Sequence, residues 1–428
     1  MNAVVERIRR LMLLCLMLIC SQSWAEDEAA ASFSGYAKSY ALWQDALEVS
    51  NGEPLAEEQW QLQNSLRLML DYFPSERLSL QLHYEVQPIY RDKPSGLASA
   101  GGAFSTLSSI DNRYRIKDIS NPDDGDHWLL LQNLDRLNLR YSTERGDLTI
   151  GRQVVSFGSA RFVNPTDIFV PFGLQTLNQE YRVGIDAIRY QAALGDFAQL
   201  DMGAVIGADG ERENSGLFLR GRDNWEGRDV QGIVIALDQA WLIGGGLETA
   251  IGDYGFWLET AYVDADVEIE NNTNTHTNSK RVRYWRHSIG SDYALNERWI
   301  VMLEYHYNGA GSDDPQDYAG LLALQPYQQG GVYLLGRHYL IPALNWQASP
   351  LINVNGSGFF NLEDDSCFIS LVADISWSEN LYSDLGLYWS RGEGLSLEES
   401  PIATPALQFG SEFGNYPLSV YASLRWYF

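Results

Sequence analysis

Residues 77–90 read RLSLQLHYEVQPIY, and their side chains alternate almost without interruption. On an extended chain Leu78, Leu80, Leu82, Tyr84, Val86 and Tyr90 share one face; Ser79, Gln81, His83, Glu85 and Gln87 share the other. Segment 60–72 repeats the pattern, with Leu62, Leu66, Leu68, Leu70 and Tyr72 opposite Gln61, Gln63, Ser65, Arg67 and Asp71. So do segments 299–307, with Trp299, Val301, Leu303, Tyr305 and Tyr307 on the apolar side, and 367–377, with Ile369, Leu371, Ile375 and Trp377. Each is a strand with one apolar and one wet face. In the last, 416–428 (YPLSVYASLRWYF), Leu418, Val420, Ala422, Leu424, Trp426 and Phe428 oppose Ser419, Tyr421, Ser423, Arg425 and Tyr427.

Such strands build either a secreted sandwich or a barrel closed in a membrane. Aromatic residues end the apolar faces, as at Tyr72, Tyr307 and Trp377, which fits interfacial girdles. Short turns alternate with long polar loops, the asymmetry of a barrel with two unlike ends. Because closure is the one way for strands to cross lipid, the fold class expected is all-β, a single transmembrane antiparallel β-barrel. Eighteen strands are expected, near 33–44, 60–72, 77–90, 128–142, 147–157, 181–194, 197–207, 214–222, 228–237, 240–251, 255–264, 281–294, 298–308, 336–347, 350–361, 366–377, 380–391 and 416–428. The pair 214–222 and 228–237 carries the weakest pattern, and sixteen strands result if one hairpin is misread. Long loops at 92–127, 158–180, 265–280, 309–335 and 392–415 then fall on one side.

Residues 1–25 read as a signal peptide: Arg7, Arg9 and Arg10, an apolar run from Leu11 to Ile19, then Ser23-Trp24-Ala25 before the expected cut. Residues 26–428 remain as the barrel domain, and in it Cys367 is the sole cysteine, so no intrachain disulfide is expected. A net charge of −26 excludes a nucleic-acid binder working through a basic patch. Beyond Ala25 no apolar stretch reaches the ~18 residues of a transmembrane helix.

Strand parity sorts the charges expected to line the pore. The basic set is Lys38, Arg67, Arg136, Arg140, Arg286 and Arg425, drawn mostly from strands that adjoin once the sheet closes. The acidic set is Asp71, Glu85, Asp201, Glu248, Glu259, Asp292, Glu304, Asp374 and Asp384. Opposed acidic and basic walls would set a transverse field across a wet lumen. The connection between Gly151 and Arg189 is unusually apolar, with Phe162, Val163, Ile168, Phe169, Val170 and Phe172, so a loop folded into the barrel is expected near 158–180. Asn164 is expected to cap a helical turn with Pro165 first and Asp167 third. Arg152 interrupts the alternation of Leu148, Ile150 and Val154, which suggests a bulge or a strand leaving the lipid zone. With Arg161, Arg182, Asp186 and Arg189 it is expected to seat the loop.

No catalytic or metal site is expected, and no cofactor. His287 falls on an apolar face beside Trp285 and Ile289 while Ser288 points the other way; His83 and His306 face inward on distant strands. Acidic runs at Asp123-Asp124-Gly125-Asp126, Asp313-Asp314-Pro315-Gln316-Asp317 and 264–270 lack the spacing of a calcium loop, though they could take Ca²⁺ or Mg²⁺ loosely.

The final strand, with Trp426 and terminal Phe428, resembles the assembly signal of Gram-negative outer-membrane proteins. That resemblance implies insertion by the outer-membrane assembly machinery. Stretch 151–189, with Gly336-Arg337-His338-Tyr339-Leu340 and the last strand, resembles the alginate-export-type and related porin-like barrels. It implies an eighteen-stranded pore with an inward loop, although nine inward acids against six bases are not the cationic lining expected of a polyanion exporter. The expected function is a non-enzymatic outer-membrane channel for small hydrophilic solutes. Its partners are outer-membrane lipid, lipopolysaccharide and the solute or saccharide. A polysaccharide export or uptake porin is the alternative within transport, and a plugged adhesin or a barrel-embedded hydrolase the alternative of another class.

Overall fold

The computed structural model describes residues 31–428 except 51–54, 94–111, 118–122, 125–126, 172–173, 175–176, 178–179, 270–277, 323, 329–330 and 399–405. The leader, Phe172 and part of the acidic loop runs lie outside the described residues. Eighteen strands form the wall: β1 (Ala31–Gln44), β2 (Gln59–Ser75), β3 (Leu78–Arg91), β4 (Trp128–Thr143), β5 (Gly146–Gln153), β6 (Ile185–Ala193), β7 (Gln199–Val205), β8 (Gly216–Trp225), β9 (Arg228–Leu237), β10 (Ala240–Ile251), β11 (Tyr254–Ile269), β12 (Asn278–Asn296), β13 (Trp299–Asn308), β14 (His338–Ser349), β15 (Ile352–Asn361), β16 (Cys367–Ser378), β17 (Leu381–Arg391) and β18 (Ser419–Tyr427). Each pairs antiparallel with its neighbours in sequence, and β18 returns to β1 from Tyr36↔Tyr427 to Gln44↔Ser419. The sheet is therefore closed and has no free edge.

Short turns and the C-terminus sit at one end. The other end carries the connections L2 (92–127), L3 (154–184), L4 (206–215), L7 (309–337), L8 (362–366) and L9 (392–418). The hairpin with the faintest sequence signal is real. Glu226 and Gly227 between β8 and β9 both take positive φ, 52° and 78°, the turn whose twist suits a tight antiparallel hairpin.

The outer face is mostly apolar, with Leu62, Leu70, Leu80, Leu82, Leu137, Ile150, Ile188 and Leu303 exposed. Rings flank it near both rims. Tyr254 stacks on Tyr293 at 4.6 Å on the turn side. On the loop side Trp241, Tyr262, Trp285, His287, Tyr307 and His338 form a chain of neighbouring rings.

At the seam, Phe428 and Gly35 exchange backbone hydrogen bonds of 2.8 and 3.0 Å. The Phe428 ring lies so close over Gly35 that a Cβ there would stand 2.6 Å from it and 2.4 Å from the Arg67 carbonyl oxygen.

Two local departures from the alternation matter. β5 ends at Gln153, because Val154 leaves the sheet and Val155 and Phe157 turn into the interior. At Arg152 there is no register shift, since it pairs with Leu137 and Asp186, but the other expected irregularity is present: Gly151 takes φ 114°, Arg152 and Gln153 are both buried, and the strand leaves the lipid-facing alternation there. The slip lies on β4 instead, opposite His83 and Tyr84, where Asp135 and Arg136 are consecutive and both buried. A bulge re-aims one side chain in this way, and strict parity therefore missed Asp135.

Candidate functional site: a loop-built constriction

L3 crosses the barrel interior held by two wall carboxylates. Glu304 on β13 accepts the backbone N–H groups of Arg161 (3.0 Å), Phe162 (3.3 Å) and Val163 (2.9 Å), and Trp257 Nε1–H (2.8 Å). Glu259 on β11 accepts Ser159 N–H (2.6 Å), Ala160 N–H (2.9 Å), Thr166 N–H (2.8 Å) and the Thr166 hydroxyl (2.7 Å). Both glutamates are fully buried. Consecutive peptide N–H groups converging on a carboxylate form an anion nest, and charge-assisted bonds of this kind are the strong ones. Ser288 donates to the Val163 carbonyl at 2.6 Å, and Arg286 to those of Pro165 (3.3 Å) and Gly331 (2.9 Å). Gly158, at φ 116°, lets the chain turn against Asn164, whose side chain lies 2.2 Å from where a Cβ would stand.

Apolar packing completes the anchorage. Phe157 and Phe169 pack with Phe218 and Tyr114 against the inner wall of β8 to β11, in a cluster with Ile233, Ile235, Leu242 and Val263. Phe169, expected in the constriction loop, is thus its buried underside. Asn164 caps no helix: Asn164 to Asp167 form a turn closed by Asp167 N–H to Asn164 O at 3.2 Å, and the Asn164 Oδ1 is unbonded. Thr166 N–H, which such a cap would take, is already given to Glu259.

The open part of the interior is a cavity of about 550 Å³ between L3 and the inner wall of β15 to β18. Arg161, Asn164 and Arg182 line its loop side; Asn355, Ser370, Asp374, Asp384 and Arg425 line the wall. Phe162 meets Phe359 edge to face across it at 6.2 Å. A second cavity of about 370 Å³ lies on the turn side of L3 against β7 to β10, with Ser159, Arg220, Arg222, Gln231 and Glu248 on its walls.

The charges do not stand as two opposed walls, as expected from sequence; they are cross-paired. Lys38 binds Glu180 of L3 at 2.6 Å. Arg67 binds Asp135 and reaches Glu85 at 3.4 Å, and Arg136 binds Asp135 at 2.7 Å. Arg140 binds Asp147, and Arg425 bridges Asp374 (2.5 Å) and Asp384 (2.6 Å). Asp201 takes Arg189 (2.6 Å) and Arg220 (2.9 Å), and Glu248 takes Arg161 (3.2 Å). Asp71 faces His83 at 3.3 Å. Asp292 lies beside Gly255 on the neighbouring strand. Lys38, Arg67, Glu85, Glu259, Arg286 and Glu304 are nearly or wholly buried rather than lining open water. The reason is that L3 and the loop ends cover that part of the wall.

The expected seat is likewise divided. Arg152 grips Asp186 with two bonds of 2.9 Å, Arg189 reaches the Val154 carbonyl at 2.9 Å, and Arg182 pairs with Asp167 inside L3. Burial pushes Asp167 up to about 6 in spite of Arg182. Burial would raise Glu180 as well, but Lys38 and the Tyr427 hydroxyl outweigh it and hold the carboxyl below its usual range. The missed residues Asp135 and Glu180 carried no signal in strand parity, one being in a bulge and the other in a loop.

Among the described residues, chemistry of other kinds is not assembled. His287 Nδ1 meets the Thr260 hydroxyl at 2.7 Å on the outer face, and Ser288 bonds His306 at 2.8 Å inside, far from His83. Among the described residues no three His, Cys, Asp or Glu side chains are disposed to hold a metal. Asp264 is taken by Arg281 and Arg283, and Asp314 caps a short turn through Gln316 N–H.

The architecture, eighteen antiparallel strands closed around an inward third loop, is that of a porin-type barrel. Among solved structures it is similar to Acinetobacter baumannii OccAB1 (TM-score 0.56, 10% identity, 95% of this chain and 99% of that one). It is similar also to Pseudomonas aeruginosa OccK8, or OprE (0.54, 10%, 93% and 98%), and to Pseudomonas aeruginosa OpdK, solved with vanillate (0.53, 8%, 93% and 98%). The sequence matches no known family description, and no curated protein matches it. At this identity the likeness shows the fold. It does not show the alginate-export-type family.

Proposed function

We propose that this chain is an outer-membrane channel through which small hydrophilic solutes diffuse, and that it is not an enzyme. The observation that carries the reading is the polar-lined cavity of about 550 Å³ between L3 and the β15–β18 wall, inside a closed barrel whose outer face is apolar and ringed by aromatics. Such an exterior belongs in hydrocarbon, and a closed sheet leaves no backbone group unpaired there. The wet interior is where the polar set goes. The fold likeness to channels of the Occ and Opd group supports this reading. Export across the inner membrane on a cleaved leader, insertion through the Trp426–Phe428 signal and contact with lipopolysaccharide belong to the same proposal.

L3 sets the bore, and Asp374 and Asp384, which share Arg425 on the facing wall, set what charge passes. The test is conductance of the refolded mature chain in a planar bilayer. Discrete current steps are expected; a protein that inserts and stays silent, both intact and with residues 160–178 removed, would overturn the channel reading.

A further inference from the structure

One inward arginine has no acid to meet it. Arg286 on β12 is 2% exposed, and among the described residues no carboxylate lies within ion-pair distance of it. The inward acids on the two flanking strands, Glu259 of β11 and Glu304 of β13, have their oxygens taken by donors of L3 and by Trp257. Arg286 Nη1 donates to the carbonyls of Pro165 in L3 (3.3 Å) and Gly331 in L7 (2.9 Å), which are dipoles and not charges. Its Nε is buried with no hydrogen-bond partner. The Tyr284 hydroxyl, two positions back on the same inward face, likewise has none among the described residues. An unpaired buried charge is among the costliest groups a fold can carry.

Both residues line one pocket of about 50 Å³ on the loop side of L3, between L7 and the wall of β10 to β12. Leu242 and Val263 form its wall side, Ile168 closes it from L3 and Val332 from L7; no carboxylate lines it. A water needs roughly 10–15 Å³ of such space, so the pocket admits one ion with a water or two and no solute of several carbons. We infer that it is a halide site, in which a chloride ion accepts from the Arg286 guanidinium and the Tyr284 hydroxyl and supplies the counter-charge that the protein omits.

The class of ligand follows from size, charge and walls. A single guanidinium balances one negative charge, so a divalent oxyanion would bring an excess and lose more water than two donors replace. A carboxylate needs room for the carbon skeleton behind it, and the apolar walls leave none. A halide carries one charge, has no preferred direction of approach and packs against C–H groups. Bound there, it faces the guanidinium that already holds Pro165 and Gly331, so it draws L3, L7 and the wall into one unit. A ligand that binds the closed arrangement and not the opened one favours it by a factor of 1 + [L]/Kd. The loops around the constriction are therefore firmer in halide, whether or not current flows through the barrel.

The test uses the refolded full barrel in detergent, with bromide as the probe and sulfate making up the ionic strength. Crystals grown in bromide should show an anomalous peak between Arg286 and Tyr284. Hydrogen exchange of peptides covering 161–169 and 331–336 should slow in proportion to free bromide once the site fills, about tenfold for each tenfold rise. Tyr284→Phe removes one donor and keeps the ring, so its half-saturating bromide concentration should rise severalfold. Arg286→Gln also removes the bonds to L3 and L7, so Ala265→Leu is the sharper variant: Ala265 lines the pocket, and a leucine there fills it while the arginine keeps its carbonyl bonds. That variant should lose both the peak and the bromide dependence. A pocket holding only water in bromide, protection that sulfate raises equally, or an Ala265→Leu variant with the wild-type dependence overturns the halide site.

Discussion

Glu304 was expected from strand parity to face water, and it faces peptide N–H groups. Its inward direction was legible in segment 299–307, but its peptide N–H partners come from residues more than 140 positions away in sequence, which no local pattern encodes. Glu304→Gln keeps the volume and replaces one acceptor oxygen with a donor pointed at donors. A hydrogen bond to a charged group contributes about 1.5–3 kcal/mol, so L3 should lose at least one such contribution. Limited proteolysis is expected to cut within 154–184 in the variant and not in the parent, with the barrel itself still resistant. The seam offers a second residue-scale test. Gly35→Ala places a methyl against the Phe428 ring and the Arg67 carbonyl, and overpacking of that kind costs about 1–3 kcal/mol. The yield of heat-modifiable folded barrel should fall severalfold, and unchanged yield would mean that the seam relaxes freely.

Among elements, the strands were readable because period-two alternation is imposed by the same physics on each of them: lipid outside, water or polar packing inside. All eighteen lie where the alternation places them, within a few residues. What the alternation could not show was where a strand stops obeying it. Val154 to Phe157 look like a continuing strand, yet Val155 and Phe157 are spent on the interior cluster with Phe169 and Phe218. The apolar composition of L3 did reveal that it folds inward, since such a loop cannot remain in water. Its anchorage by Glu259 and Glu304, rather than by the arginines nearest in sequence, was hidden. If L3 sets the bore, removing residues 160–178 should raise single-channel conductance roughly twofold or more, because the space they fill joins the open lumen. The buried faces of β8 to β11 would then be wetted, so lower thermal stability should accompany the wider pore. A deletion that leaves conductance unchanged would move the constriction elsewhere, to L7 or L9.

At the scale of the whole molecule the question is what the net field of the passage selects. A separation of charge into two walls was the expectation, and closure of the barrel around L3 pairs most of those charges instead. Along the 550 Å³ cavity Arg182 is matched by Asp167 and Arg161 by Glu248, whereas Arg425 alone faces Asp374 and Asp384, which sit directly opposite each other on β16 and β17. One uncompensated negative charge remains, and Asp374 is the more exposed of the two acids. At about 6 Å in water a unit charge is worth roughly 0.7 kcal/mol, about a threefold enrichment of small cations. A modest cation preference is therefore expected from the reversal potential under a KCl gradient. It should weaken as salt approaches 1 M, where screening acts over about 3 Å, and strengthen near 0.1 M, where it acts over about 10 Å. Asp374→Asn should abolish the preference without changing the bore, since the side chain keeps its size. Anion preference in the parent would mean that Arg161 and Arg182, on the loop side, govern the passage, and the same substitution would then increase that preference instead of removing a filter.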